Sequence, residues 1–592
     1  MQFPEKQNIY KKTELMEEPR IGVYVCWCGT NIAKMVDVEA VTNEVKTLPY
    51  VVLAKNYKYM CSDPGQDLII KDIKLQNLNR IVVAACSPRI HELTFRTACE
   101  KAGINPYLFE MANIREQDSW VHTDRTEATN KAIDLVIAAI RRVRYHEPLQ
   151  KRSVNVNPAT LIIGGGISGM IAALEIANAG KQVYLIEKSD HLGGQVLKFD
   201  LTFPHLSSAQ QMIRPIIQRV MNNPMIEVFL DTEIMEVTGY IGNFKTLITF
   251  NSLDPVELAF GNIIAAVGLK PFDPSVIKEY NYTEFPDVIT SFEFEEKLLA
   301  GKILTVYGKE PRNVAIIHCV GSRNKNYHEY CSRVCCMAAL KYVHQIRAAL
   351  PLANIFEIYA DMRAYGKGHE EFYALTTHKQ NIFLMYDQQK QLPVIHQADR
   401  SDDCNMIIEM DEVLSGQSIE VPVDMVILMV NMEAHENVKQ VVRAIGVSLC
   451  GNQFFIEKHP KLDPVATTTG GVFIVGTCQG PRDIPDSVAQ ARAAAARILA
   501  TIAQGSVPVE VTTAAVNELI CCGCRTCIKV CPYTAISYDE IRKASVVNEV
   551  LCKGCGTCGS ACPAGAIISK HFTDFQILSE IEGIMSMSYK TS

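Results

Sequence analysis

Eight cysteines near the carboxyl end stand in two runs of one pattern. Cys521, Cys524, Cys527 and Cys531 are spaced C-x2-C-x2-C-x3-C and are followed by Pro532. Cys552, Cys555, Cys558 and Cys562 repeat the spacing and are followed by Pro563. Thiolates so spaced ligate the clusters of a two-cluster bacterial ferredoxin, in which the fourth cysteine of each run serves the other cluster. The runs predict one [4Fe–4S] cluster on Cys521, Cys524, Cys527 and Cys562, and a second on Cys552, Cys555, Cys558 and Cys531. Gly523, Gly554 and Gly556 would let backbone amides turn toward the sulfurs. Paired C-x2-C also binds zinc, but two identical runs, each closing on Cys-Pro, favour clusters. Cys522 is left over as a non-ligand.

A second constellation is a glycine loop. The segment ATLIIGGGISGMIAALEIANAGKQVYLIEKS places Gly164, Gly166 and Gly169 at G-x-G-x-x-G spacing between an apolar strand and a helix. The first glycine permits the tight turn, the second lets backbone approach a pyrophosphate, and the third lets helix and strand pack closely. Gly165, Ile167 and Ser168 complete the loop, where the helix N-terminus would stabilise phosphate charge. Glu187 ends the next strand at the position of a ribose-binding acid, with Lys188 beside it. Gly193, Gly194 and Gln195 then form the glycine pair that flavoproteins with two dinucleotide-binding lobes set beside the flavin, which favours FAD over NAD. Gly268 and the distant string TTTGGVFIVGTCQGPRDIPDSVAQARAAAARI supply the rest of the expected site. Here a strand Val472–Val475 meets Gly476, and a helix starting near Ser487 follows Asp483 and Ile484. The usual acid after the glycine is Thr477.

The second lobe, NVAIIHCVGSRNKNYHEYCSRVCCMAALKYVHQIRAAL, has no glycine loop. Cys319, Cys331, Cys335 and Cys336 stand in its place, which argues against NAD(P)H binding there. These thiols could hold a third [4Fe–4S] cluster, act as a redox dithiol, or be inert. Adjacent cysteines close a strained ring and no C-x-x-C is present in this lobe, so the cluster is preferred. Near the amino end, Cys26, Cys28, Cys61 and Cys86 follow strand ends. They read equally as a fourth cluster site or as thiols lining a partner-docking surface.

The whole chain bounds these readings. It has 592 residues, a net charge of −7 and no basic block, which argues against nucleic acid. The N-terminal residues do not read as a secretory signal, so twenty-one cysteines are expected to serve metal ligation in a reducing, cytoplasmic setting rather than structural disulfides. The most apolar stretch, Ala159 to Ala179, carries four glycines and Glu175, so no membrane span is expected. Residues 1–20 are polar and expected to be poorly ordered. Alternating strand and helix patterns from Ile21 imply a small parallel sheet, with a long helix over about Thr126 to His146.

The expected fold class is α/β: a thioredoxin-reductase-like flavoprotein with two dinucleotide-binding lobes, an N-terminal α/β domain and a C-terminal 2[4Fe–4S] ferredoxin domain. The expected domains are 1–155 for the N-terminal unit, 156–310 for the first part of the FAD lobe, 311–430 for the cysteine-bearing lobe, 431–505 for the closing part of the FAD lobe, and 506–592 for the ferredoxin.

The strings VCWCGTNI, CSDPGQ, AACSPRIHE, NIREQDSWVH, GGGISG, HCVGSRN…YCSRVCCMAALK, DMRAYGKGHEEFY and GTCQGPRDIPDSVAQA, with the double ferredoxin run, span nearly the whole chain. In these the chain resembles the A-type polypeptide of heterodisulfide reductase, the FAD component of cytoplasmic electron-bifurcating complexes. The resemblance implies a flavin that accepts an electron pair and sends the two electrons down separate paths. It implies cluster ligation by Cys319, Cys331, Cys335 and Cys336 beside that flavin. It places Lys341 next to the flavin ring, where a cation would stabilise the reduced form, with Glu293 as its partner; a solvent-facing helix lysine is the plainer reading. Expected partners are a hydrogenase, formate dehydrogenase or NADH-oxidising donor, ferredoxin, and B/C-type subunits that reduce a disulfide, around a homodimeric core. Some members carry a further ferredoxin domain inserted before the cysteine lobe; here residues 236–311 contain no cysteine. A non-bifurcating carrier for a respiratory or sulfur-metabolism reductase is the alternative. A structural scaffold with degenerate cofactors is disfavoured by the intact cysteine runs.

Overall fold

The computed structural model describes residues 18–248, 255–379, 381–398, 405–509 and 511–585. The expectation for residues 1–17 lies outside the described residues. The chain divides into two compact units. One joins residues 1–153 to residues 508–592, and the other is Val154–Val507.

In the first unit, four strands form a parallel sheet in the order Val51–Tyr57, Ile21–Cys26, Arg80–Ala85, Phe109–Asn113. Both faces are covered. Ile21, Val23 and Val25 pack with Val38, Val41 and Val45 of the helix Val38–Val45 and with the apolar face of Arg125–Val143. Tyr24 and Cys26, one residue out of phase, pack with Ile69, Ile73, Phe95 and Cys99 from the helices Asp63–Gln76 and Pro88–Ala102. Alternating faces, each buried, are the expected signature of a parallel sheet between helix layers. The long helix runs Arg125–Val143, three residues shorter than expected at its carboxyl end; Asp124 caps its start by accepting from Thr126 and Glu127 amides.

The same unit holds the cysteine runs. Two short antiparallel pairings, Ala514–Val516 with Ile567–Ser569 and the hairpin Ile536–Asp539 with Ala544–Val547, frame the one-turn helices Thr526–Val530 and Thr557–Ser560. A last helix, Asp574–Met585, lies along Arg125–Val143. Gly583 packs against the Ala138 backbone, and Arg142 binds Glu580 at 3.1 Å.

The second unit contains two parallel sheets. The first has the order Val472–Ile474, Asn262–Ala265, Thr160–Ile163, Val183–Ile186, Ile226–Phe229. Its edge strand comes from the far end of the unit's sequence, so the lobe opens and closes with strands of one sheet. The second has the order Val288–Thr290, Met425–Val430, Asn313–Val320, Asn354–Tyr359, Ile382–Met385. Each lobe also carries a three-stranded antiparallel meander, and the ladder of Leu269–Pro271 with Met432–Ala434 joins the two.

Among the described residues no helix is long and apolar enough to cross a membrane.

Candidate functional site

The glycine loop sits at the carboxyl end of the strand Thr160–Ile163. The helix after it starts at Ile167, with Gly166 as its N-cap. Amides of the first turn, which have no intrahelical acceptor, therefore belong to the loop itself. A Cβ on Gly169 would run into the Gly164 carbonyl, and one on Gly164 into that of Ala266. A Cβ on Gly166 would meet nothing within 4 Å. Two glycines thus close the turn, and the third leaves room for a ligand.

That room is a cavity of about 420 Å³. Gly164, Gly166, Ile167, Ser168, Glu187, Lys188, Gly194, Gln195, Gly268, Thr477, Asp483, Ile484 and Ser487 are on its wall. Gly165, Gly169, Gly193 and Gly476 stand behind it. The Gly165 amide donates to Glu187 at 2.6 Å, and the Gly193 amide to the Gly165 carbonyl at 2.9 Å. The closing helix runs Ile484–Gln504, about a turn earlier than expected, because Asp483 caps it by accepting from the Asp486 amide at 2.8 Å and Pro485 is tolerated in a first turn. Two helix N-termini therefore face one cavity. Gln195 Oε1 is buried on its wall with no hydrogen-bond partner, an acceptor suited to a polar ligand edge. Phosphate-seeking amides at one end and an unmatched acceptor further along fit FAD.

Beside this cavity, the strand Asn313–Val320 ends in an irregularity where Cys319 takes φ +60°. Cys335 and Cys336 open the helix Cys335–Ala349, and Cys331 lies in the loop between. The four thiols lie within electrostatic range of one another. Burial, then the neighbouring Cys336, pushes Cys319 up to about 12. Burial and then Cys336, Cys319 and Cys331 raise Cys335. Burial also acts upward on Cys336, but the His318 hydrogen bond and charge outweigh it and the net shift is downward. Thiols that burden one another in this way, at a helix N-terminus and with Arg323 3.8 Å from the Cys319 sulfur, suit a bound iron–sulfur centre.

The loop is tied to the cavity walls. Arg333 donates to Asp486 at 3.1 Å and to the Pro481 carbonyl at 3.3 Å. The Tyr330 hydroxyl donates to the carbonyl of Met432, a cavity residue, at 2.9 Å.

Lys341 is buried and bonds the Leu201 carbonyl at 3.1 Å. Its carboxylate partner is Glu295, not the expected Glu293. Glu293 is the third residue of the helix Ser291–Leu299; one of its carboxylate oxygens closes a capping box with Thr290 and the other accepts from Tyr282 Oη at 2.9 Å, so both are already engaged. Glu295 also accepts from Tyr342 Oη at 2.9 Å and the Asp200 amide at 2.9 Å. Burial pulls the Lys341 ammonium down, against the opposing pull of Glu295. Lys341 is not among the residues that line the cavity. Its ammonium lies 5.9 Å from the centre of the Phe199 ring, which is on the wall. Sequence reasoning missed Phe199 and Phe292, which form an apolar wall segment; neither falls in a motif.

In the first unit, Cys26, Cys28, Cys61 and Cys86 converge at the carboxyl edge of the sheet. Cys26 Sγ accepts from the amides of Cys28 at 3.3 Å and Met60 at 3.4 Å. Arg115 donates to Cys28 Sγ at 3.3 Å. Burial pushes Cys86 up to about 12, with Arg115 opposing it and Cys28 and Cys26 adding to it.

The ferredoxin cysteines divide between two small cavities. Cys521, Cys524, Cys527 and Cys562 line one, together with Cys522. Cys531, Cys552, Cys555 and Cys558 line the other. Amides of Ala535 and Ala566, each four residues past the crossing cysteine, donate to Cys531 and Cys562 sulfurs at 3.3 Å. Crossed sets of four thiols with amide support fit two clusters. Among the described residues no three His, Cys, Asp or Glu side chains are gathered for a single metal ion.

Comparison with known proteins gives two domain families and a set of full-length relatives. Residues 160–238 match the family of FAD dependent oxidoreductases, and residues 520–567 match the 4Fe-4S dicluster domain. A thioredoxin reductase structure from Lactococcus lactis covers 58% of this chain and 99% of its own, at 14% identity and a TM-score of 0.40. The A-type polypeptide of the H(2):CoB-CoM heterodisulfide,ferredoxin reductase of Methanothermobacter thermautotrophicus is 39% identical, covering 90% of this chain and 92% of its own length. That alignment runs to 613 positions, more than this chain has, so the relative carries residues with no counterpart here. The corresponding polypeptide of the H(2)/formate:CoB-CoM heterodisulfide,ferredoxin reductase of Methanococcus maripaludis is 34% identical, covering 89% and 92%. Identity at this level across nearly the full length leaves one conclusion: the chain is an FAD and iron–sulfur oxidoreductase component and belongs to the family of heterodisulfide reductase A-type polypeptides.

Proposed function

We propose that this chain is an electron-bifurcating hub that holds one FAD and four [4Fe–4S] clusters. FAD would lie against Gly164–Gly169, Glu187, Gly194, Gln195, Gly268 and Thr477–Ser487. The clusters would be held by the two crossed ferredoxin sets, by Cys319, Cys331, Cys335 and Cys336, and by Cys26, Cys28, Cys61 and Cys86. When bound, FAD supplies the ability to take electrons in pairs and release them singly. Phe199 and Phe292 give the cavity an apolar wall segment that would keep water from a bound flavin, and the cavity's neighbouring loop is held by Arg333 and Tyr330. The observation that carries the reading is the fastening of the cysteine loop to the cavity walls through Arg333 and Tyr330, which supports direct exchange between the two centres.

In this reading a hydrogenase, formate dehydrogenase or NADH-oxidising donor delivers electrons in the cytoplasm. They leave toward ferredoxin and toward B/C-type subunits that reduce a disulfide, with paired copies of the chain at the core of the assembly. The names of the relatives, which include hydrogen-, formate- and ferredoxin-linked enzymes, support such a partner set. The absence of cysteine between residues 236 and 311 favours a second reading, a carrier that passes electrons without splitting them. A redox titration of the flavin separates the two. Crossed one-electron potentials, with no flavin radical accumulating at equilibrium, support bifurcation. An accumulating radical favours simple carriage.

A further inference from the structure

Arg482 is on the wall of the flavin cavity and lies within the closing string GTCQGPRDIPDSVAQA, where no role has been assigned to it. Its Nε is buried and has no hydrogen-bond partner. A buried donor left unpaired costs about 1–3 kcal/mol, so a ligand acceptor is the natural complement. The other end of the guanidinium is held in place. Nη2 donates to Gln479 Oε1 at 2.8 Å, the same oxygen accepts from Gln490 Nε2 at 2.6 Å, and Gln490 Oε1 accepts from the Gly476 amide at 2.9 Å. The side chain is thereby referenced to the closing glycine.

The charge is poorly balanced. Asp486 is engaged by Arg333 at 3.1 Å. Asp483, also on the wall, is spent on the cap of the closing helix. The acid expected at position 477 is a threonine. Arg482 also stands two residues before the N-terminus of the 21-residue helix Ile484–Gln504, whose dipole is positive there. Burial lowers the affinity of Arg482 for its proton and the adjacent Arg333 lowers it further, while Asp486, Cys478 and Glu457 pull the other way without offsetting them; an arriving negative charge would relieve both.

FAD offers two such charges. The pyrophosphate is served by the glycine loop and the helix beginning at Ile167. The remaining charge is the one the ring gains at its pyrimidine edge when two electrons and one proton are added. We propose that Arg482 lies against that edge and raises the flavin's reduction potential by stabilising the reduced ring more than the oxidised one. This rests on the FAD reading above.

The test uses the full-length protein, loaded anaerobically with FAD. Wild type, R482Q, R482K and Q479L are titrated with dithionite in the presence of reference dyes, and FAD per chain is measured separately. R482Q should keep FAD at wild-type stoichiometry while the equilibrium constant for two-electron reduction falls at least tenfold, about 30 mV. R482K should stay within threefold of wild type, and Q479L, which loosens the guanidinium without removing it, should fall between. An unchanged potential in R482Q would overturn the proposal. So would loss of FAD from R482Q with an unchanged potential in the flavin that remains, since that assigns Arg482 to the pyrophosphate. Should R482Q fail to fold, Q479L at the wild-type potential would overturn it equally. Wild type that takes up no FAD would defeat the underlying FAD reading as well, and is told apart by the stoichiometry.

Discussion

Lys341 and Glu295 form an ion pair inside the protein, with side chains 4% and 2% exposed, one aromatic ring away from the flavin cavity. Removing one member strands the other charge in a low-dielectric site, which costs about 3–5 kcal/mol, whereas removing both costs far less. We therefore expect K341M and E295Q each to weaken hydrogen-exchange protection of the helix Cys335–Ala349 strongly. The double variant K341M/E295M should recover much of it. E293A should cost about 1–2 kcal/mol, for a helix cap and the Tyr282 hydrogen bond together, and should leave protection of the helix Cys335–Ala349 unchanged.

The glycine loop makes a paired prediction. G169V drives a Cβ into the Gly164 carbonyl and should lower the thermal stability of the protein together with its flavin content. G166V places its side chain in open cavity space. It should fold with a wild-type circular dichroism spectrum and carry little FAD, measured by release on acid precipitation.

Much of this was legible in the sequence, and the reasons differ from site to site. The cysteine runs and the glycine loop are local patterns whose spacing is dictated by the ligand, so they can be read without a fold. The choice between Glu293 and Glu295 was not a spacing question. It turned on which acid the helix end consumes, and the Thr290-x-x-Glu293 pattern of a capping box was the available signal. The docking of Asp574–Met585 on Arg125–Val143 joins residues more than 430 positions apart, through one glycine and two arginines, and no local pattern encodes it. Phe199 and Phe292 reach the cavity wall only because tertiary packing brings them there.

The crossing of the ferredoxin ligands is directly testable. C562S should remove the cluster lined by Cys521, Cys524 and Cys527, and C531S the one lined by Cys552, Cys555 and Cys558. Each variant should lose about four irons per chain, with the lost electron paramagnetic resonance signal differing between them. Loss of the same signal in both would argue for uncrossed sets.

The junction of the last helix should respond to acid. The rings of His571 and His146 stack at 4.4 Å, and His571 Nε2 bonds the Glu147 carbonyl at 2.8 Å. Burial pulls His571 from its ordinary 6.5 down to about 4, with His146 adding to the effect; Arg96 also lowers it, and Glu110 opposes. The unfolded state therefore takes up the proton first as pH falls. Stability from this residue is intact above pH 6.5 and declines toward pH 4, by about 3 kcal/mol at most. H571Q should flatten the stability–pH curve over that interval, read by hydrogen exchange in the helix Asp574–Met585.

The most direct measurement of the account is the cofactor content of protein purified without oxygen. We predict one FAD per chain and about sixteen irons with as many sulfides, four for each of four clusters. A folded protein showing neither flavin absorbance nor the brown of iron–sulfur centres would contradict it.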